Sequence, residues 1–167
     1  MKFLLIFLTT TIFFSCSNET RTSTLTPINW KKRSIELNNL ENLFLGSSYL
    51  SVYSEIYSQS DQRVHGLTVT VSMKNISSVD STFILKADYF NTEGHLIRTY
   101  FDKPIFLKPL ETIEIVISEK DKEGGTGGNF IFEWASKNVK SEPLFEGVMI
   151  STSGQQGLSF TTQGIKR

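Results

Sequence analysis

Short stretches in which apolar and polar residues alternate, divided by turn-forming residues, dominate the chain from Tyr49 onward. In LTVTVSMK, the side chains of Leu67, Val69, Val71 and Met73 would share one face, since neighbouring side chains of a strand point to opposite faces. This pattern predicts a strand with one buried face. The other stretches of this kind are YLSVYSEIY, STFILKADYF, HLIRTYF, LKPLETIEIVI, NFIFEWAS, PLFEGVMIST and GLSFTT.

Seven or eight short strands with turns between them, and no long helical periodicity after Tyr49, predict an all-β fold, an immunoglobulin-like antiparallel β-sandwich. Residues 49–164 form the predicted sandwich, and residues 165–167 form a short tail. Between two of the strands, Asn91–Gly94 predicts a hairpin connection in which Gly94 takes a positive φ angle. A segment of this length can bury a core without disulfides.

Alternation also predicts which side chains of the individual strands point into the core. We interpret YLSVYSEIY, residues 49–57, as one strand. In NFIFEWAS, Glu133 lies on the face opposite to Phe132 and Trp134. In LKPLETIEIVI, the predicted inward residues are Ile113, Ile115 and Ile117.

The first sixteen residues, MKFLLIFLTTTIFFSC, have the pattern of an export signal. Lys2 gives a positive start, and the apolar stretch Phe3–Phe14 has the length of a signal-peptide core and is too short to span a bilayer. With Ser15 and Cys16 after it, the segment resembles a bacterial lipoprotein signal, in which the cysteine thiol is lipidated. It departs from that signal at Phe13, where leucine is commonest.

This resemblance implies that residues 1–15 are removed and that Cys16 becomes a lipidated N-terminus. The protein would then be held in the bacterial cell envelope, at the outer membrane or the periplasmic face, and the membrane would be a partner through the anchor. Cys16 is the only cysteine, so the exported domain has no internal disulfide. The alternative is a secretory peptide that is cleaved near a free cysteine.

A polar segment separates Cys16 from the first predicted strand. It begins SNETRTSTLTP, which is rich in Ser and Thr, and we expect residues 16–48 to form a flexible tether. Within this tether, the apolar residues of IELNNLENLFLG predict a short helix that Gly46 ends. The chain has 17 basic and 17 acidic residues, and its densest basic group is Lys31–Arg33, which argues against a nucleic acid partner.

The segment EKDKEGGTGGNF combines acidic residues with glycines just before a predicted strand. A phosphate-binding loop would end in Gly-Lys-Ser/Thr, and an EF-hand calcium loop would have glutamate where Phe130 stands. We therefore predict a wide loop in which glycines supply positive φ angles, with a different calcium site at Asp121 and Glu123 as the open alternative. The ligand-loop candidates are Asp121, Glu123, Gly124, Gly125, Gly127, Gly128 and Asn129.

Known catalytic motifs do not occur in the sequence. His65 and His95 lack metal-type spacing, and there is no Gly-x-Ser-x-Gly turn, so no cofactor is predicted. Between Ile131 and Trp134, a partly buried Glu133 would need a donor such as Arg98 or a backbone amide. The favoured interpretation of such carboxylates is an outward-facing acid or a buried, hydrogen-bonded one, because ordinary ion pairs perturb carboxylates too. The candidates for acid–base catalysis are Asp88, Glu133 and Glu146.

Three segments carry a family resemblance: ADYFNTEGHLIRTY, LKPLETIEIVISEKDKEGGTGGNFIFEW and PLFEGVMISTSGQQGLSFTTQG. They resemble the bacterial domain-of-unknown-function family 3124, from about Tyr49 to Gly164. The resemblance implies a short exported or lipid-anchored protein, and it brings no established activity. It marks GGTGGNFIFEW and GVMISTSGQQGLSF as family hallmarks and assigns no role to Glu133.

Two functions from different classes follow as expectations. The first is a non-catalytic, lipid-anchored binding or assembly module, with an envelope protein or a glycan as its partner. The alternative is an envelope hydrolase or a calcium-dependent domain that uses the acidic glycine-rich loop and Glu133.

Overall fold

The strands pair into two antiparallel sheets and a separate hairpin. A computed structural model describes residues 28–37, 41–152 and 157–167, so the predicted signal peptide, 1–15, and Cys16 lie outside the described residues. The helix α1 (Trp30–Arg33) precedes the first strand, and a 3₁₀ turn (Gly125–Gly127) precedes the ninth. The strands are β1 (Phe44–Ser51), β2 (Glu55–Ser58), β3 (Ser60–Gly66), β4 (Thr68–Lys74), β5 (Thr82–Phe90), β6 (Leu96–Thr99), β7 (Ile105–Leu107), β8 (Thr112–Ile117), β9 (Asn129–Ser136), β10 (Leu144–Ser151), β11 (Leu158–Gln163) and β12 (Ile165–Lys166).

The larger sheet has the strand order β12–β1–β9–β5–β6, with β7 also paired to β5, and the smaller sheet has the order β11–β10–β4–β8. The hairpin consists of β2 and β3. All these pairings are antiparallel. The predicted immunoglobulin-like antiparallel β-sandwich is therefore confirmed. The described residues form twelve strands instead of the predicted seven or eight, because YLSVYSEIY divides between β1 and β2 and because β3, β12 and most of β7 lie outside the predicted stretches.

Stacked aromatic rings join the two sheets. Phe132 on β9 stacks on Phe145 on β10, with their ring centroids 4.1 Å apart. Next to Phe132 on the same face of β9, Phe130 stacks on Tyr89 of β5 at 4.7 Å. Trp134 completes this face, and its indole N–H donates a hydrogen bond to the buried Ser48 Oγ at 3.0 Å. The predicted inward residues of the smaller sheet are buried: Leu67, Val69, Val71, Met73, Ile113, Ile115 and Ile117.

The predicted helix in the tether is wrong where the structure describes it. Residues 35–37 are not helical, and the N–H of Ile35 donates to the carbonyl oxygen of Pro104 at 2.8 Å. Phe44 begins β1, five residues before the predicted start of the sandwich, because the backbone from Phe44 to Ser51 pairs with β9. Pairing with a neighbouring strand outweighs the weak helical spacing of this segment.

Two further boundaries differ from the prediction. The stretch YLSVYSEIY is not one strand, because β1 ends at Ser51 and Glu55 begins β2 in the separate hairpin. The predicted tail, 165–167, belongs to the larger sheet, because Ile165 begins β12 and pairs with Tyr49 of β1. By contrast, the hairpin glycine was predicted correctly, since Gly94 has a φ angle of 80°.

Residues 28–37, which we call the N-terminal strap, pack against the sandwich and are not part of a free tether. Trp30 lies against Phe101 with a centroid distance of 5.4 Å. Arg33 forms a salt bridge with Glu111 at 2.8 Å, which holds the pKa of that carboxyl below its usual range. The prediction that all of 16–48 is a flexible tether is therefore wrong for the strap and for the first residues of β1. Among the residues that the structure describes, none forms a helix long and apolar enough to cross a membrane.

The close approach of Gly46 to Trp134 generates a test of this packing. A Cβ atom on Gly46 would lie 2.2 Å from the indole ring of Trp134, which is buried and hydrogen-bonded. We expect Gly46→Ala to lower the free energy of unfolding by about 3 kcal/mol, since overpacking a rigid core costs an amount of this order. Urea unfolding measures the change. The matched control is Gly157→Ala, whose Cβ would have its nearest neighbour at 3.8 Å, and an equal loss in both variants would contradict the packing described.

Candidate functional site

The glycine-rich loop lies between β8 and β9 and is filled by the protein's own side chains. Tyr89 Oη and Ser54 Oγ form a buried hydrogen bond of 2.8 Å beneath Gly124. A Cβ atom on Gly124 would lie 1.8 Å from Tyr89 Oη, although its φ angle of −70° is open to any residue. Gly124 is therefore required by close approach. The prediction that the loop glycines supply positive φ angles is confirmed only at Gly125, with a φ angle of 65°, and is wrong for Gly124 and Gly128, at −70° and −64°. Burial raises the pKa of Tyr89 to about 12.

Hydrogen bonds tie this loop to two other connections of the sandwich. The N–H groups of Val52 and Ser54 donate to the carbonyl oxygens of Gly128, at 2.9 Å, and Gly125, at 3.1 Å. In the β5–β6 hairpin, Thr92 Oγ1 donates to the carbonyl oxygen of Gly124 and accepts from the N–H of Gly127. The loop thus acts as a structural clamp, which leaves its glycines packed against protein atoms.

The acidic residues of the loop meet an arginine. Arg98 Nη2 lies 3.1 Å from a carboxylate oxygen of Asp121 and 2.8 Å from one of Glu123. Burial alone would lower the pKa of Arg98, but its hydrogen bonds with Tyr100 and Asp121 outweigh that effect and raise it. A calcium ion between Asp121 and Glu123 would have to displace the guanidinium. Across residues 28–37, 41–152 and 157–167, no group of three or more His, Cys, Asp or Glu side chains could hold a metal ion.

Glu133 is the outward-facing acid that the sequence favoured. Its side chain is exposed on the outer face of the larger sheet, in register with Lys86 of β5. The alternative of a partly buried Glu133 with Arg98 as its donor is wrong, because Arg98 on β6 contacts the glycine-rich loop. The apolar neighbours Phe132 and Trp134 face the core on the opposite side of the strand.

The other two candidate carboxylates already have cationic partners. Asp88 is buried on the same outer face, where it accepts a hydrogen bond from Thr99 Oγ1 at 2.7 Å and pairs with Lys86. The hydrogen bond that the Lys86 ammonium group donates to Asp88 raises the pKa of Lys86. Glu146 pairs with Lys74 on the outer face of the smaller sheet. The sandwich therefore separates Glu146 from Asp88 and Glu133, and the three carboxylates do not form one site.

An open cleft of about 940 Å³ lies where the N-terminal strap meets the end of β6, and the sequence did not predict it. We call it the aromatic cleft. The half-buried Trp30 and Tyr100 and the buried Phe101 contribute its rings, and Asp102 and Lys103 are exposed beside them. Trp30 lies in the segment that was predicted to be a tether. A tryptophan within that polar segment is the sequence signal that could have revealed the cleft. The remaining lining residues are Ile28, Asn29, Lys31, Ser34 and Thr99.

Comparison with known proteins supports one assignment. The family model described as "Protein of unknown function (DUF3124)" matches residues 46–166. The chain belongs to this family. The match begins at Gly46, at the contact with Trp134, and ends in β12, so the DUF3124 segment covers both sheets and leaves the strap outside.

No match was found among curated proteins. A solved structure with some similarity is the crystal structure of Thermotoga maritima 1070. It has a TM-score of 0.44 and 8% sequence identity, over 72% of this chain and 94% of the other. This level of similarity carries no functional argument.

The structural role of the glycine-rich loop can be tested at Gly124. We expect Gly124→Ala to lower the free energy of unfolding by roughly 2 kcal/mol, because the new methyl group must displace the buried Tyr89 hydroxyl. The measurement is urea unfolding followed by tryptophan fluorescence. Gly127→Ala is the matched control in the same loop, since its Cβ would meet Thr92 at an ordinary 3.4 Å. A Gly124→Ala variant as stable as this control would contradict the clamp role.

Proposed function

We propose that the protein is a lipid-anchored, non-catalytic binding module of the bacterial cell envelope that holds a glycan in the aromatic cleft. The observation that carries this proposal is the combination of rings and polar groups in that cleft. Trp30 and Tyr100 contribute aromatic rings to the lining, while the exposed Asp102 offers hydrogen-bond acceptors and the exposed Lys103, which also pairs with Glu36, offers donors. A sugar ring presents the complementary chemistry, with apolar C–H faces and a rim of hydroxyl groups.

The shape of the cleft also favours a chain-like ligand. It is open along the side of the sandwich, whereas small-molecule sites usually enclose most of their ligand. Its floor is held firmly, because Tyr100 contacts the core ring Phe130 at 5.6 Å and Trp30 contacts Phe101. A preorganised aromatic surface loses little conformational entropy when a ligand binds.

The distribution of the carboxylates supports binding over hydrolysis. A glycosidase needs two carboxyl groups within about 5 to 10 Å of each other across the scissile bond. The carboxylates that do lie close together are engaged by cations: Asp121 and Glu123 share Arg98, and Asp88 pairs with Lys86, which is in register with Glu133. Glu146 lies on the opposite outer face and pairs with Lys74. The aromatic cleft contains a single carboxylate, Asp102, among its described lining residues.

The position of the strap supports the anchored arrangement. The described chain enters the domain at Ile28, which lines the cleft, and only the eleven residues 17–27 separate it from the predicted lipidated Cys16. The cleft would therefore stay close to the membrane that holds the anchor, within reach of envelope glycans next to it.

The glycan proposal is tested with Trp30→Ala and Asp102→Ala in the mature chain. We expect the wild-type chain to co-sediment with purified peptidoglycan and each variant to bind at least tenfold more weakly, as loss of about 1.4 kcal/mol of contact energy implies. Asp102 is exposed and outside the core, so its variant separates ligand contact from folding. Tyr57→Ala is the control, because Tyr57 is an exposed aromatic residue on the separate hairpin.

Two results would contradict this proposal. One is a wild-type chain that does not sediment with peptidoglycan, which would contradict a glycan ligand. The other is a pair of cleft variants that bind as tightly as Tyr57→Ala, which would contradict the aromatic cleft as the binding site.

The anchor is tested separately by mass spectrometry of the protein purified from membranes. We expect residues 1–15 to be absent and Cys16 to carry acyl chains. Cys16→Ser should then leave the protein unprocessed. An N-terminus with an unmodified cysteine would instead indicate a cleaved secretory peptide.

A further inference from the structure

One end of the sandwich exposes aliphatic side chains on three neighbouring connections. These connections are β4–β5 (75–81), β7–β8 (108–111) and β9–β10 (137–143), which the strand pairing places at the same end. We call this surface the aliphatic end, and its exposed residues and exposed fractions are Ile76 (53%), Val79 (80%), Leu110 (68%) and Val139 (55%).

Hydrogen bonds hold these exposed residues in place. Asn75 is buried, and its Nδ2 donates to the carbonyl oxygens of Asp80, at 2.8 Å, and Lys108, at 3.0 Å, which joins two of the connections. The N–H of Leu110 donates to the carbonyl oxygen of Ser77 at 3.0 Å. Leu110 has a φ angle of 58°, a conformation that a bulky residue seldom adopts. The protein therefore maintains an exposed leucine at a backbone position that favours asparagine or glycine.

Basic residues surround the aliphatic end. Lys32, Lys108 and Lys140 form no salt bridge with any residue of the described ranges. The acidic residues of the three connections have cationic partners: Asp80 pairs with Lys137, Glu111 with Arg33 and Glu142 with Lys166. This end therefore has a local excess of positive charge, although the whole chain has equal numbers of basic and acidic residues.

The chain also enters the domain at this end. Ile28 lines a groove together with Lys32, Phe106, Lys108 and Glu111, so the predicted tether leaves beside the basic residues. Eleven residues, 17–27, separate Cys16 from Ile28, and a chain of that length reaches at most about 40 Å. A lipid on Cys16 would therefore keep the aliphatic end close to the bilayer surface.

We infer that the aliphatic end docks on the membrane surface, with its aliphatic side chains in the interfacial layer and its lysines against anionic lipid headgroups. The combination of exposed apolar residues and unpaired lysines is what binding to anionic membranes requires. Four separate projections fit a soft lipid surface better than the flat, complementary surface of a protein partner. This inference rests on the proposed lipid anchor, and it orients the glycine-rich loop away from the membrane.

Vesicle sedimentation tests the inference with the chain from residue 17, which carries no lipid and keeps every described residue. We expect binding to vesicles of phosphatidylcholine with roughly one-third phosphatidylglycerol, weaker binding to phosphatidylcholine alone, and a loss of binding in high salt. Leu110→Asn and Lys108→Glu should each weaken binding at least tenfold when binding is measured at low salt. Asparagine suits the φ angle of Leu110, so that variant should fold normally.

Matched controls come from the opposite end of the sandwich. Leu96→Asn replaces an exposed leucine at the start of β6, and Lys120→Glu replaces an exposed lysine near the glycine-rich loop. Both should bind vesicles like the wild-type chain. Equal losses in test and control variants would overturn the inference.

Two more results would overturn it. One is a wild-type chain that does not bind anionic vesicles. The other is a dimer in analytical ultracentrifugation that Leu110→Asn dissociates, because the aliphatic end would then be a contact between two copies. Absence of vesicle binding, with Cys16 acylated and peptidoglycan bound, would reject this inference alone and leave the proposed function in place.

Discussion

The contact between the inward aromatic face of β9 and its neighbours is the interaction on which the rest of the structure depends. β9 pairs with β1 on one side and β5 on the other, while Phe132 stacks on Phe145 of the opposite sheet. Trp134 extends the same face and is held by its hydrogen bond to Ser48. One strand thus organises its own sheet through backbone pairing and joins the two sheets through its side chains.

The glycine-rich loop is best understood as the entry to this strand. Phe130, the first inward residue of β9, stacks on Tyr89, and the Tyr89 hydroxyl meets Ser54 beneath Gly124. The loop is therefore fitted to the core just before β9 begins, and Gly124 is buried against the Tyr89 side chain. This close approach accounts for glycine at position 124.

Much of the fold could be predicted from the sequence, because alternation records which face of a strand is buried. Ile113, Ile115 and Ile117 face the core as expected, and β9 begins and ends at the predicted residues. The candidate site was predicted less well. Whether Glu133 is buried depends on what covers the outer face of the sheet, and the alternation along one strand contains no information about that.

The sequence by itself determined the β-sandwich, the positive φ angle of Gly94, and an N-terminal pattern typical of lipidation at Cys16, because each depends on local residue chemistry or on short periodicity. Tertiary structure alone decided that the strap packs beside β6 to form the aromatic cleft, and that Ile76, Val79, Leu110 and Val139 meet at one end. These features bring together residues that are far apart in the chain, and strand pairing sets their distances.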